Sequence, residues 1–137
     1  MNDDVMENLS GLMFAYRAEM RRALQEAGHE MNGMEVRALM WIAANPGGAA
    51  RELALQGGRD KAQVTRVIQQ LEGAGLIART PDPLDRRLQR LALTEAGEQL
   101  HATLQRERRQ VASRLLARLN PQEQDQLAIL LGRMRGG

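Results

Sequence analysis

Between Gly75 and Thr94 the chain changes its periodicity, and that change restricts its fold more than any other feature. Upstream, apolar residues recur every three or four positions. Here two short strand-like runs, 76–80 and 88–93, flank Pro81-Asp82-Pro83-Leu84-Asp85-Arg86-Arg87. Two prolines, and the residues preceding them, resist helix. The stretch therefore reads as a β-hairpin with a basic tip, and Gly75 supplies the stop for the helix before it.

The elements ahead of the hairpin are helical. Apolar residues at Val5, Leu9, Leu12, Met13, Tyr16, Met20 and Leu24 mark one face of a helix over 5–27, ended by Gly28. Asn32 and Glu35 form a capping-box pattern before a helix carrying Val36, Leu39, Met40, Ile42 and Ala43. Asn45-Pro46-Gly47-Gly48 breaks it. A short helix follows, with Leu53 and Ala54 facing inward, and Gly57-Gly58 makes the next turn. Asp60 then caps a helix, with Gln63 as its third residue, whose buried stripe is Val64, Val67, Ile68 and Leu71. Helix, short helix, tight turn, helix and hairpin, in that order, make a winged helix-turn-helix. The fold class is mainly α with a small β-hairpin wing.

Beyond the hairpin, Thr94 caps a long helix over 95–119. Asn120-Pro121-Gln122-Glu123 stops it and starts another over 122–135, with Leu127, Leu130, Leu131 and Met134 as its stripe. The expected organisation is an N-terminal helix in 1–32, a winged helix-turn-helix in 33–97, and C-terminal helices in 98–137.

The chemistry of a winged helix favours DNA. One helix has the width to enter the major groove, and the helix before it sets its angle on the backbone. A hairpin tip can place arginine at the minor groove, where narrow tracts concentrate negative potential. The charge distribution agrees. The net charge is +2, but residues 51–90 carry +3 and the rest of the chain −1, a pattern suited to a phosphate partner. An arginine-rich surface with a single lysine, Lys61, is also what a GC-rich genome produces.

The run Val64-Thr65-Arg66-Val67-Ile68-Gln69-Gln70-Leu71-Glu72-Gly73-Ala74-Gly75-Leu76-Ile77-Ala78-Arg79 resembles the recognition helix and first wing strand of the MarR (multiple antibiotic resistance regulator) family. Asp85-Arg86-Arg87, five residues, then Leu93-Thr94 matches that family's wing signature, and Glu95-Ala96-Gly97 continues it. The resemblance spans nearly the whole chain. It implies an obligate homodimer in which the first helix and the last two pack across a two-fold axis, and hence a palindromic operator on double-stranded DNA. The apolar stripes of the flanking helices agree, since a small winged core does not need them. A helix over 95–119, about 37 Å long, would project beyond such a core. The plainer alternative is that these helices pack on the core of their own chain.

The resemblance makes Arg87 the minor-groove arginine of the wing and Asp85 its partner, holding the tip by a charge-assisted hydrogen bond. Arg86 is a phosphate candidate. On the recognition helix Arg66 is the leading base-edge or phosphate contact, followed by Gln63, Thr65 and Gln69. Arg59 and Lys61 lie near the amino end for phosphates, and the Ala62 methyl suits thymine. Arg51 and Arg79 are further phosphate candidates. The family also implies a small-molecule effector pocket between dimer helices and winged core, for which Tyr16, Arg17, His29 and Trp41 are the residues to inspect. Their plainer readings are core packing for Trp41 and solvation for His29.

Other functions find less support. With no cysteine, a disulfide framework, thiolate metal site and thiol-based redox sensor are excluded. His29 and His101 lack ligand-spaced companions, so neither a metal site nor a catalytic constellation is expected, and no cofactor is called for. No signal peptide or membrane span is legible, which makes a cytoplasmic location the expectation. A winged helix used only for protein contacts, the remaining alternative, would present an apolar or acidic recognition face rather than a polar one bearing Arg66.

Overall fold

In the computed structural model the chain runs α1 (Asp3–Glu26), α2 (Gly33–Ala44), α3 (Ala50–Gly57), α4 (Lys61–Gly73), β1 (Ile77–Pro81), β2 (Gln89–Leu93), α5 (Glu95–Leu116) and α6 (Pro121–Met134). The structure describes residues 3–57 and 60–136. Packing divides the chain into two units, Arg21–Gln105 and a second made of Met1–Met20 with Arg106–Gly137, so that the divisions fall inside α1 and α5.

The 21–105 unit holds the helix-turn-helix and the hairpin. Its core is aliphatic: Leu39 and Ile42 of α2, Leu71 of α4, Leu76, Leu91 of β2, and Leu104 of α5 are all fully buried. The stripe read from α4 is buried at all four positions, Val64, Val67, Ile68 and Leu71. Helix α2 packs on α4 and β2, α3 packs on α4 and β2, and α4 packs on β1.

Local chemistry sets the boundaries. The Asn32 side chain caps α2 by accepting the Glu35 N–H at 2.9 Å. Asp60 caps α4, but its carboxylate accepts the Ala62 N–H, while the Gln63 N–H goes to the Asp60 backbone carbonyl. At the far end of α4, Gly75 adopts φ +76°. The Leu76 N–H then reaches the Leu71 carbonyl and the Gly75 N–H the Glu72 carbonyl. This paired closure needs a left-handed residue, and it turns the chain directly into β1.

The strands are antiparallel, with Ile77 opposite Leu93 and Pro81 opposite Gln89. The strand residues expected at 76–80 and 88–93 sit one position later at their starts. Pro81 closes β1, at the strand edge where its missing N–H costs no ladder bond. A third short segment joins β2: the Gly47 N–H donates to the Leu91 carbonyl and the Leu91 N–H to the Gly48 carbonyl, both at 2.9 Å. Ala49 bridges Arg90 in the same stretch. The hairpin is thus bonded to the α2–α3 turn.

Thr94 joins α5 to this arrangement. Its hydroxyl accepts the Gly97 N–H and donates to the Gly75 carbonyl. Gly97 lies so close to the Leu76 carbonyl that a Cβ there would sit 2.0 Å from its oxygen.

Helix α5 ends at Leu116, three residues short of the expected 119. The N–H groups of Ala117 and Leu119 bond back three residues, to Arg114 and Leu116, which tightens the last turn. The Gln124 side chain then donates to the Leu116 and Leu119 carbonyls, taking up acceptors that the helix end leaves free. Helix α6 opens with Asn120 and Glu123 in a full capping box and Pro121 in its first turn. It has no buried residue, although Leu127, Leu130, Leu131 and Met134 line an open groove with Val5, Leu9 and Leu12 of α1. In that unit the Tyr16 hydroxyl accepts a hydrogen bond from Arg108, and Arg114 pairs with Glu19.

Candidate nucleic-acid interface

Helix α4 buries one face and leaves the other to solvent. Lys61, Ala62, Gln63, Thr65, Arg66 and Gln69 are all exposed. Five of them, with Asp60, line a shallow open depression along the outer face of the helix. Between Lys61 and Leu71 there is no acidic residue, and the Asp60 carboxylate is engaged by the helix end. The Ala62 and Gln63 N–H groups are likewise taken by Asp60, so what the first turn offers an anion is the Lys61 ammonium. Thr65 uses its hydroxyl proton on the Lys61 carbonyl, which leaves the hydroxyl oxygen as an acceptor. The Arg59 expectation lies outside the described residues.

The hairpin tip carries the second cationic group. The Arg87 side chain is 91% exposed, and its Nε approaches the Asp85 carboxylate at 3.3 Å. The same oxygen accepts the Arg87 N–H at 3.1 Å. Asp85 thus orients the arginine, while the guanidinium remains open to a partner. Arg86 is exposed beside it, and Arg51 is exposed on α3.

Two residues not singled out from the sequence organise the tip. Asp82, 8% exposed, is the buried charged residue among those described. One of its oxygens accepts the N–H groups of Leu84 and Asp85, at 2.8 and 3.0 Å. The other receives Arg90, with Nε at 2.9 Å and a terminal nitrogen at 2.7 Å. Arg90 also donates to the Gly47 carbonyl and lies 3.9 Å from Glu52 of α3. The Arg90 hydrogen bonds, then the two tip N–H groups, hold the Asp82 carboxyl below the ordinary carboxylate range.

A pH dependence follows. A depressed carboxyl adds stability above its unfolded pKa, about 3.9, and loses that contribution as pH falls through the lower folded value. The melting difference between wild type and Asp82→Asn is therefore expected to stay constant from pH 7 to about pH 4 and to vanish below the folded value. Thermal melts of both proteins down to pH 2 measure it. A difference already shrinking at pH 6 contradicts the assignment.

Arg79 departs from expectation. Rather than standing free for phosphate, it forms a two-nitrogen contact with Glu72, at 2.9 and 3.2 Å. That contact ties β1 to α4 and holds the Glu72 carboxyl low. The turn at Gly75 brings together residues seven positions apart, so the pair is invisible to helical spacing.

The four residues marked for an effector occur in separate settings. In the unit containing 1–20, Tyr16 is engaged by Arg108, and Arg17 is exposed. In the 21–105 unit, Trp41 is half-buried, its ring against the Gly48 turn, where an added Cβ would lie 2.7 Å away. His29 is half-buried just beyond the end of α1, its backbone N–H donating to the Leu24 carbonyl. Among the described residues no three His, Asp or Glu side chains converge as metal ligands, and no helix is long and apolar enough to cross a membrane.

Comparisons with known proteins agree with this geometry. Residues 29–88 match the sequence profile of the MarR family. A putative transcriptional regulatory protein for the hcr operon of Thauera aromatica is 35% identical over 70% of this chain and 58% of its own length. An uncharacterised HTH-type transcriptional regulator of Bacillus subtilis, YdgJ, is 33% identical over 56% of this chain and 46% of its own. The chain thus spans about half the length of these relatives. The crystal structure of the transcriptional regulator SlyA superposes with a TM-score of 0.81 at 25% identity, covering 97% of this chain and 92% of that one.

Proposed function

We propose that the chain, whose residues 29–88 match the MarR family and whose relatives are transcriptional regulators, is a member of that family and works as a homodimeric, sequence-specific DNA-binding regulator. In this reading α4 lies in the major groove and the hairpin reaches the flanking minor groove. The observation that carries it is the pairing, within one unit, of the exposed face of α4 from Lys61 to Gln69, which carries no acidic residue, with a tip whose Arg86 and Arg87 are exposed. Arg66, Gln63, Thr65, Gln69 and Ala62 would read base edges. Lys61, Arg59 and Arg86 would take phosphates, and Arg87 would enter the minor groove with Asp85 behind it.

The second copy is assigned to the α1–α6 groove. Its apolar lining and the exposure of Val5, Leu12, Leu130 and Met134 in a single chain support that assignment. Domain roles follow: 1–32 and 98–137 dimerise, and 33–97 binds DNA. A two-fold dimer calls for a palindromic operator with half-sites about one helical turn apart. It would repress a nearby promoter by occupying it, in the cytoplasm where the DNA lies, with no catalytic step of its own. Release by a small molecule is the family's expectation, with Tyr16, Arg17, His29 and Trp41 as positions to test.

Selection from random duplexes followed by a salt titration tests the reading. Wild type is expected to return a palindrome and to weaken steeply with salt. Arg87→Ala, which removes one wing arginine from each half-site, is expected to bind about tenfold more weakly, with a log–log salt slope smaller by about two. Selection that returns no palindrome would reject sequence-specific recognition.

A further inference from the structure

We propose that Asp82 and Arg90 are positioning residues for DNA binding, a latch that fixes the hairpin tip to the helix-turn-helix so that Arg87 and α4 engage DNA as one rigid body. The inference rests on the DNA-binding reading above and adds residues that lie outside the exposed contact face.

The latch has three connections. One Asp82 oxygen gathers the Leu84 and Asp85 N–H groups, which shapes the tip from inside. The other receives two Arg90 nitrogens. Arg90 then bonds the Gly47 carbonyl in the α2–α3 turn and faces Glu52 on α3. Beneath this, the 47–49 segment is hydrogen-bonded to Leu91 and bridged to Arg90. The tip backbone is thereby linked through two side chains to the turn that precedes α3, and α3 packs directly on α4.

The physical consequence concerns the exposed tip. Among the described residues Arg87 is fastened only to Asp85, and Leu84 at the apex is 98% exposed. Without an inner anchor, a hairpin with so exposed an apex would sample many positions, and Arg87 would lose ordering entropy on each encounter with DNA. Asp82, positioned between the tip amides and the Arg90 guanidinium, removes that freedom before binding. The low Asp82 pKa is consistent with a carboxylate held ionised across the whole physiological range.

The two halves of the latch can be separated. Asp82→Asn keeps an oxygen for the tip amides but turns donors and no charge toward Arg90. Arg90→Gln leaves the tip amides on Asp82 and cuts the links to Gly47 and Asp82. Neither residue is placed against DNA.

The test is a double-mutant cycle between Asp82→Asn and Arg87→Ala, read by fluorescence anisotropy on the selected operator and normalised to folded protein by circular dichroism. Asp82→Asn alone is expected to weaken binding about tenfold. In the Arg87→Ala background it is expected to cost less than twofold, because the contact it positions is already gone. Hydroxyl-radical footprints of Asp82→Asn and Arg90→Gln should lose minor-groove protection under the hairpin, while protection of major-groove guanine N7 atoms under α4 from dimethyl sulfate should persist.

A purely structural role lowers binding by one factor in both backgrounds and fades both sets of contacts together. That result, or unchanged binding by both variants, overturns the latch while leaving the DNA-binding reading intact. Wild type that footprints no selected duplex overturns the DNA-binding reading and the latch with it.

Discussion

Gly97→Ala is expected to lower the stability of the 21–105 unit by about 3 kcal/mol or more, the upper end for overpacking a filled site, and its melting temperature by roughly 15 °C. The alanine Cβ would fall 2.0 Å from the Leu76 carbonyl oxygen and 3.0 Å from its carbon. That carbonyl cannot step aside cheaply, because it already accepts the Thr94 N–H at 3.0 Å, and the neighbouring Gly75 carbonyl is held by the Thr94 hydroxyl. Relief would require parting α5 from the base of the hairpin. Gly73→Ala provides the comparison, since a Cβ there meets nothing within 4 Å and alanine favours helix by up to about 1 kcal/mol. Thermal and denaturant melts of the two variants decide the matter. Equal melting temperatures would show that the close approach at Gly97 is not what limits this position.

Leu130→Glu is expected to turn the proposed dimer into a monomer and to reduce operator affinity by at least about a hundredfold, through loss of the second, linked half-site. In a single chain Leu130 is 46% exposed, so the substitution opens no cavity and should leave helical content near that of wild type, while the loss of the partner subunit lowers the melt and makes it independent of concentration. Across a dimer it would bury a carboxylate against Leu9, Leu12 and Leu127 on the groove wall, a cost of several kcal/mol for an unpaired charge. Sedimentation velocity gives the mass directly. A Leu130→Glu protein that still sediments as a dimer would place the interface elsewhere.

What could be read from the sequence was whatever depends on neighbours within a turn or two. The α4 stripe, the Asn32, Asp60, Thr94 and Asn120 caps and the glycine stops need only local spacing, and the structure has them. The Asp85–Arg87 contact, also present, was implied by the resemblance of the tip to a family wing signature rather than by spacing.

The features that were missed depend on chain reversal. Arg79 reaches Glu72 only because Gly75 folds β1 back along α4. Arg90 reaches Asp82 only because the hairpin register brings the two arms together, and Gly47, its other partner, is 43 positions away. In a one-dimensional reading Asp82 was one more turn-forming acid between two prolines. The α5 terminus was overrun for a related reason: the apolar pattern continues to Leu119, but the amide that closes the helix comes from Gln124 in the next one.

The contact between Trp41 and the Gly48 turn has a further use. The chain contains one tryptophan, and its indole lies on the same turn that is hydrogen-bonded to Leu91 of the hairpin. Its emission is therefore an intrinsic optical gauge of whether that turn is seated. It needs no label, and one tyrosine and one phenylalanine add little competing signal. A chain so poor in aromatics has its sole strong fluorophore beside the joint between hairpin and helices, so refolding of that joint can be timed in the unmodified protein.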